Sequence, residues 1–159
     1  MTVENGSHRE ILIFQLNGRR FGVWADVALA VLQAVAIVPL PKAPEIVEGV
    51  VNVRGDVLPV LDFRKRFRLP PKSVEPSDHL ILAKAGERRV LVRVDRVLDL
   101  ARLGTAEIDD GRSLSPGSEY VAGIARLPDG LILIHDLATF LSAAEEDALT
   151  ALTSEAAMP

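Results

Sequence analysis

Four aspartates, Asp26, Asp62, Asp95 and Asp136, recur at the ends of apolar runs. Paired carboxylates can do acid–base or metal chemistry. An aspartate at a strand end can equally accept backbone N–H groups and cap a turn, and recurrence within a duplicated pattern favours that structural role. The histidines His8, His79 and His135 are scattered and leave little for an imidazole metal site. His135 closes the apolar run Leu131–Ile134 and reads as a satisfied structural group. The chain has no cysteine, so thiolate nucleophiles, zinc knuckles, iron–sulfur clusters and disulfides are all excluded. No phosphate-cradling glycine loop, His-Glu-x-x-His or Gly-x-Ser-x-Gly occurs. Neither catalysis nor a cofactor is expected. Arg64-Lys65-Arg66-x-Arg68 is the dense basic run, but only Phe63 and Phe67 interleave with it and the net charge is −4. A solvated strand end or a protein-docking rim is expected there rather than a nucleic-acid site. Arg54, beside Gly55 at a hairpin turn, is either an ordinary surface arginine or a contact residue.

The elements that must position these residues are short. At 159 residues and 48% apolar composition, the chain suits one domain or two very small ones. The polar start MTVENGSHRE lacks the pattern of a secretory signal, and a cytoplasmic protein is expected. Gly22–Leu40 has roughly the ~20 residues of a membrane span. Asp26, Gln33 and Pro39 interrupt it, so no direct membrane insertion is expected. The segment reads instead as a buried strand running into a short helix, capped by Asp26 and aligning Val27, Val31 and Val35. Asn17-Gly18 between ILIFQL and FGVWA predicts a hairpin. A second hairpin turns at Arg54-Gly55, and Pro59 in its returning strand suggests an edge or a bulge. After a polar linker through Ser77, His79–Ala83 with Val90–Val94, and Tyr120–Leu127 with Leu131–Ile134, repeat the theme. Residues 104–118 read as a loop. Ser142-x-x-Glu145 predicts a capped C-terminal helix.

The repetition can be counted. Gly49 and Asp62 are 13 residues apart, as are Gly123 and Asp136, and Arg20-Phe21-x-Val23-x-x-Asp26 matches Arg89-Val90-x-Val92-x-x-Asp95 at a constant shift of 69. Two copies of one small all-β unit are implied, with a largely apolar interface because each alone would be marginal. Residues 1–76 sum to +2 and residues 77–159 to −6, which suits two different protein-facing surfaces.

Gly49-Val-Val-Asn-Val-Arg-Gly-Asp-Val-Leu-Pro-Val-Leu-Asp-Phe, preceded by Pro41-Lys-Ala-Pro44, closely resembles the CheW-like domain of bacterial chemotaxis coupling proteins and kinase regulatory domains. The likeness continues at Phe14-x-Leu-x-Gly18, Val94-Asp95-x-Val97, Tyr120-x-x-Gly123 and Asp136-Leu137. It implies an all-β fold of two five-stranded SH3-like barrels with short helices. The expected layout is a tail over 1–10, a CheW-like domain over 11–141 with subdomains of about 11–70 and 78–141, and a helical tail over 142–159 that the barrels can do without. It also implies a non-enzymatic adaptor whose partners are the cytoplasmic tip of a chemoreceptor and the regulatory domain of a histidine kinase. The family's coupling residues carry over to Gly49, Asn52, Arg54 and Gly55. One departure falls in the segment before the prolines. The family's Val-x-Glu-Val reads Ala28-Leu29-Ala30-Val31, so Ala30 stands where a glutamate is usual, beside Val31. That departure points to a divergent receptor set or to a non-flagellar output.

Overall fold

A computed structural model describes residues 8–109, 121–141 and 145–150. Strands β1 (His8–Leu16) and β2 (Arg19–Trp24) form the first hairpin, and a 3-10 turn leads into β3 (Ala28–Gln33). Strands β4 (Val47–Val53) and β5 (Asp56–Asp62) form the second hairpin, followed by the single-turn helix α1 (Phe63–Arg66). Then come β6 (His79–Ala85), β7 (Arg88–Val94), β8 (Arg96–Gly104), β9 (Ile108–Asp109), β10 (Val121–Leu127) and β11 (Gly130–His135). A last helix, α2, spans 145–150.

The strands make two SH3-like barrels, one from the sheet β8-β1-β2-β11-β10-β9 and one from β3-β6-β7-β5-β4. The sheets do not follow the sequence halves 11–70 and 78–141. Residues 28–94 build one barrel continuously, and the other unites β1 and β2 with β8 to β11. Each half therefore lends one hairpin to the other half's sheet. The reason lies in a parallel join present twice: Val60 pairs with Leu91 and Ile134 with Gly22. The duplication itself is exact in register. Gly49 and Gly123 both follow a register shift, opposite Val60 and Ile134. Asp62 and Asp136 each accept from the backbone N–H two residues on. Arg89 bonds Asp56 at 2.8 Å and Arg20 meets Asp129 at 3.1 Å, so the matching arginines brace both joins, through aspartates that stand one position apart in the two copies.

The apolar runs are continuous rather than alternating because β1 and β6 are covered on both faces. Ile11 and Ile13 enter one barrel with Ile132 and Ile134. The equivalent Leu80 enters the other with Leu58, Val60 and Leu91. The opposite faces, Leu12, Phe14 and Leu16 with Ile81, Ala83 and Ala85, meet in one seam together with Phe63 and Phe140. The seam is the largest cluster, as expected for units too small to stand alone. Phe63 is its centre, 4.4 Å from Phe140 and 5.5 Å from Phe14 between ring centroids.

Four sequence expectations are corrected. Ala28–Gln33 is a strand, not a helix, because it pairs with β6 and the 3-10 turn at Asp26 ends after one turn. Pro59 is neither on an edge nor at a bulge, since β5 lies between β4 and β7. It precedes the Val60–Asp62 stretch that bonds β7, so its missing N–H interrupts nothing there. Residues 104–109, expected as the start of a loop, instead end the long strand β8 and form a 3-10 turn and β9, and residues 110–118 lie outside the described residues. Helix α2 is not a loose appendage: Leu149 is 0% exposed in the seam, and Arg66 bonds Glu145 at 2.7 Å. Ser142, Leu152 and Tyr120 lie outside the described residues. Among the described residues no helix is long and apolar enough to cross a membrane.

Candidate protein-docking site

The β4–β5 turn consists of two residues with left-handed backbone, Arg54 at φ 51° and Gly55 at φ 93°. This is the twist-matched geometry that joins two-residue hairpins, normally filled by Asn-Gly. The first hairpin uses that pair, Asn17 at φ 54° and Gly18 at φ 76°. Arginine has no such preference, so the second turn carries a residue chosen against its backbone. Asn52 stabilises the turn, its Oδ1 accepting from the Gly55 N–H at 2.8 Å. Arg54 itself is exposed, and among the described residues its guanidinium enters no hydrogen bond or ion pair.

The other carried-over positions divide by role. Gly49 is buried under the proline segment, where Val38 and Val50 exchange backbone hydrogen bonds. A Cβ on Gly49 would stand 2.2 Å from the Val38 carbonyl oxygen. Gly123 repeats the device, with a Cβ 2.8 Å from the Asp109 carbonyl oxygen. Gly49 therefore shapes the barrel edge rather than offering a surface. Ala30 is half-buried, whereas Val31, on the opposite face of β3, is 44% exposed beside Leu29. Strands β3 and β4, the latter leading into the Arg54 turn, are the two outer strands of one sheet, so Val31 and Arg54 are not sheet neighbours.

The basic run is not a solvated rim. Arg64 is 4% exposed, and its Nη2 donates to both carboxylate oxygens of Asp95 at 2.7 and 2.8 Å. Its Nη1 donates to the Pro70 carbonyl at 3.0 Å. Lys65 and Arg68 alone of the run are exposed. Beside this pair runs a buried network with no local sequence signature. Arg93 donates to Glu48 at 2.8 Å, to Asp78 at 3.0 Å and to the Lys72 carbonyl at 2.7 Å. Lys72 bridges Asp78 and Asp95 at 3.2 and 3.3 Å. Burial pushes the Glu48 carboxyl up, outweighing the pull of Arg93. At Asp95 burial acts the same way, but Arg64, the Asn17 N–H and Lys72 together hold its carboxyl below the ordinary range. These charges clamp the linker to the barrel.

The aspartates thus act as caps and ion-pair partners. Asp62 and Asp136 hold separate turns, and among the described residues no group of acidic, histidine or cysteine side chains is arranged to hold a metal. His135 is buried between Phe21 and Phe67, its ring centroid 5.5 and 4.4 Å from theirs.

Known proteins agree with this architecture. The chain is 25% identical over 139 residues to a chemotaxis protein CheW of Klebsiella aerogenes, covering 86% of this chain and 84% of that one. It is 21% identical over 147 residues to a chemotaxis protein CheW of Treponema pallidum, covering 89% and 86%. Protein FrzA of Myxococcus xanthus is 34% identical over 100 residues, covering 63% and 62%. The crystal structure of the scaffolding protein TtCheW of Thermoanaerobacter tengcongensis superposes with a TM-score of 0.79 at 25% identity, covering 86% of this chain and 94% of that one. The sequence pattern of the CheW-like domain matches residues 10–145, and with both barrels in place the chain belongs to the CheW-like family of chemotaxis scaffold proteins.

Proposed function

We propose that this scaffold protein joins the cytoplasmic tip of a chemoreceptor to the regulatory domain of a CheA-type histidine kinase, without catalysing a reaction itself, and that it works in the cytoplasm at receptor arrays. The observation that carries the reading is Arg54: an exposed guanidinium held on a left-handed turn where asparagine would be the easier residue. Backbone strain retained at a surface position supports a role in contact. A guanidinium can fork onto a carboxylate of a partner helix, a geometry lysine does not reproduce. Val31 and Leu29 on the outer strand of the same sheet offer a separate apolar contact, suited to a second partner.

The test is calorimetric titration of a purified receptor hairpin and of a kinase regulatory domain into the full chain. Binding of both, without mutual exclusion, supports the adaptor. Failure of either partner to bind refutes the reading. Ala30 supports a second version, in which the same adaptor serves a chemosensory system with a non-flagellar output, since alanine stands where the family usually carries a glutamate.

A further inference from the structure

The duplication places one chemical site twice and fills it once. In the first copy, the Arg64 guanidinium lies against Asp95, with the Asn17 N–H donating to the same carboxylate at 2.9 Å. The shift of 69 and the 13-residue spacing carry these positions to the second copy. Asp95 corresponds to Asp26, Asn17 to Gly86, Asp62 to Asp136, and Arg64 to Ala138. The backbone equivalence holds at the decisive point, since Arg64 and Ala138 each donate their N–H to the capping aspartate, at 2.8 and 3.0 Å. Where Arg64 fills the first copy, the methyl group of Ala138 is too short to do so. The second copy is a cavity of about 360 Å³, bordered by Trp24, Asp26, Lys84, Gly86, Asp136 and Ala138.

Asp26 lacks what Asp95 has. Among the described residues its nearest cation is Arg9 at 3.6 Å, beyond hydrogen-bond distance, and its side chain is 72% exposed. Arg9 is engaged elsewhere, stacked 3.5 Å over the Trp24 ring. The equivalent pair in the first copy is Asp78 with Arg93, an ion pair at 3.0 Å, so the wall beside the cavity is built in both copies and only its chemistry differs.

We infer that this cavity receives an arginine side chain from a protein partner, seated against Asp26 as Arg64 is seated against Asp95. A planar guanidinium matches the observed precedent, in which one nitrogen spans both carboxylate oxygens and another reaches a backbone carbonyl. A side chain fits better than the free amino acid, because Asp26 and Asp136 together line the cavity and disfavour a second carboxylate. Lys84 at the rim opposes the incoming charge and tunes its affinity. The site shares no residue with the Arg54 hairpin, and its test requires neither receptor nor kinase.

The experiment is amide NMR of the full chain titrated with N-acetyl-arginine N-methylamide, with the neutral citrulline analogue and free L-arginine as parallel arms. The blocked arginine is expected to shift the Gly86 amide and the Trp24 indole in a saturable manner. Asp26→Asn should weaken this on the order of fivefold, the effect of losing one exposed ion pair. Ala138→Arg should abolish it by filling the cavity from within. That variant should also melt higher than the unmodified chain, and the gain should vanish when Asp26→Asn is added. Equal shifts from the citrulline analogue, or no shift at these residues, would overturn the inference. Tighter binding of free L-arginine than of the blocked form would overturn the assignment to a protein partner. So would an Ala138→Arg variant whose melting point is indifferent to Asp26.

Discussion

Arg54→Asn separates the turn's backbone preference from the side chain's purpose. An ordinary L-residue in the left-handed region costs roughly 1–2 kcal/mol, and asparagine relieves part of this through local hydrogen bonding. The first hairpin places asparagine at the same position of the same turn, so the replacement needs no backbone adjustment. Among the described residues no partner of the guanidinium is lost. The variant should therefore be more stable by about 0.5–1 kcal/mol. For a chain of this length that is a rise of roughly 1–4 °C in Tm. Binding should move the opposite way. Loss of a hydrogen bond between charged groups costs about 1.5–3 kcal/mol, or roughly tenfold to a hundredfold in Kd. Thermal unfolding and calorimetric titration against receptor hairpin and kinase domain read the two effects independently. A lower Tm would mean that the guanidinium supports the fold. Unchanged affinity for both partners would remove Arg54 from the contact.

Arg64→Ala should destabilise by about 3 kcal/mol in urea unfolding, because Asp95 would lose its main buried partner. The same aspartate sets an acid limb. Its carboxyl is lowered in the folded protein, so its contribution is present above the unfolded value near 3.8 and is lost as pH falls through the still lower folded value. Glu48, raised by burial, works oppositely and costs stability as pH climbs above about 4.5, so Asp95→Asn should flatten the acid limb of an unfolding series and Glu48→Gln should steepen it. Gly49→Ala should cost roughly 3 kcal/mol, near the upper end for overpacking, and more than Gly123→Ala, whose clash is 2.8 rather than 2.2 Å. Leu149→Ala should cost about 2–3 kcal/mol by opening the seam beneath α2, and a change within 0.5 kcal/mol would restore the tail to a loose appendage.

The hairpins and the duplication were legible because their signals are local. Asn17-Gly18 and Arg54-Gly55 punctuate apolar runs, and the 13-residue spacing survives in the paired register. The exchange of hairpins between barrels was not legible, since it depends on two parallel joins of two or three residues each. Nothing in a strand's own sequence names the distant strand beside it. Ala28–Gln33 misled because a run such as ALAVLQ fits a helix or a strand, and pairing with β6 decides between them. Arg64 reads as a surface charge within its basic run, and nothing local in the sequence marks Arg93, Glu48 or Asp78, because the partners lie 15 to 45 positions away. Of the candidate contact residues, Asn52, Arg54, Gly55 and Val31 are exposed, Ala30 is half-buried and Gly49 is buried. Gly49 and Asn52, expected as contact residues, do backbone work in the structure, one leaving room for the Val38 carbonyl and the other holding the Gly55 N–H.

The central claim is that one chain holds receptor and kinase together. Immobilised receptor hairpin, probed by biolayer interferometry with the kinase regulatory domain, tests it directly when the scaffold is added or withheld. The account predicts that kinase-domain signal above its own background requires the scaffold and falls at least about tenfold in apparent affinity with Arg54→Asn. Equal kinase signal with and without the scaffold, or displacement of one partner by the other, would contradict it.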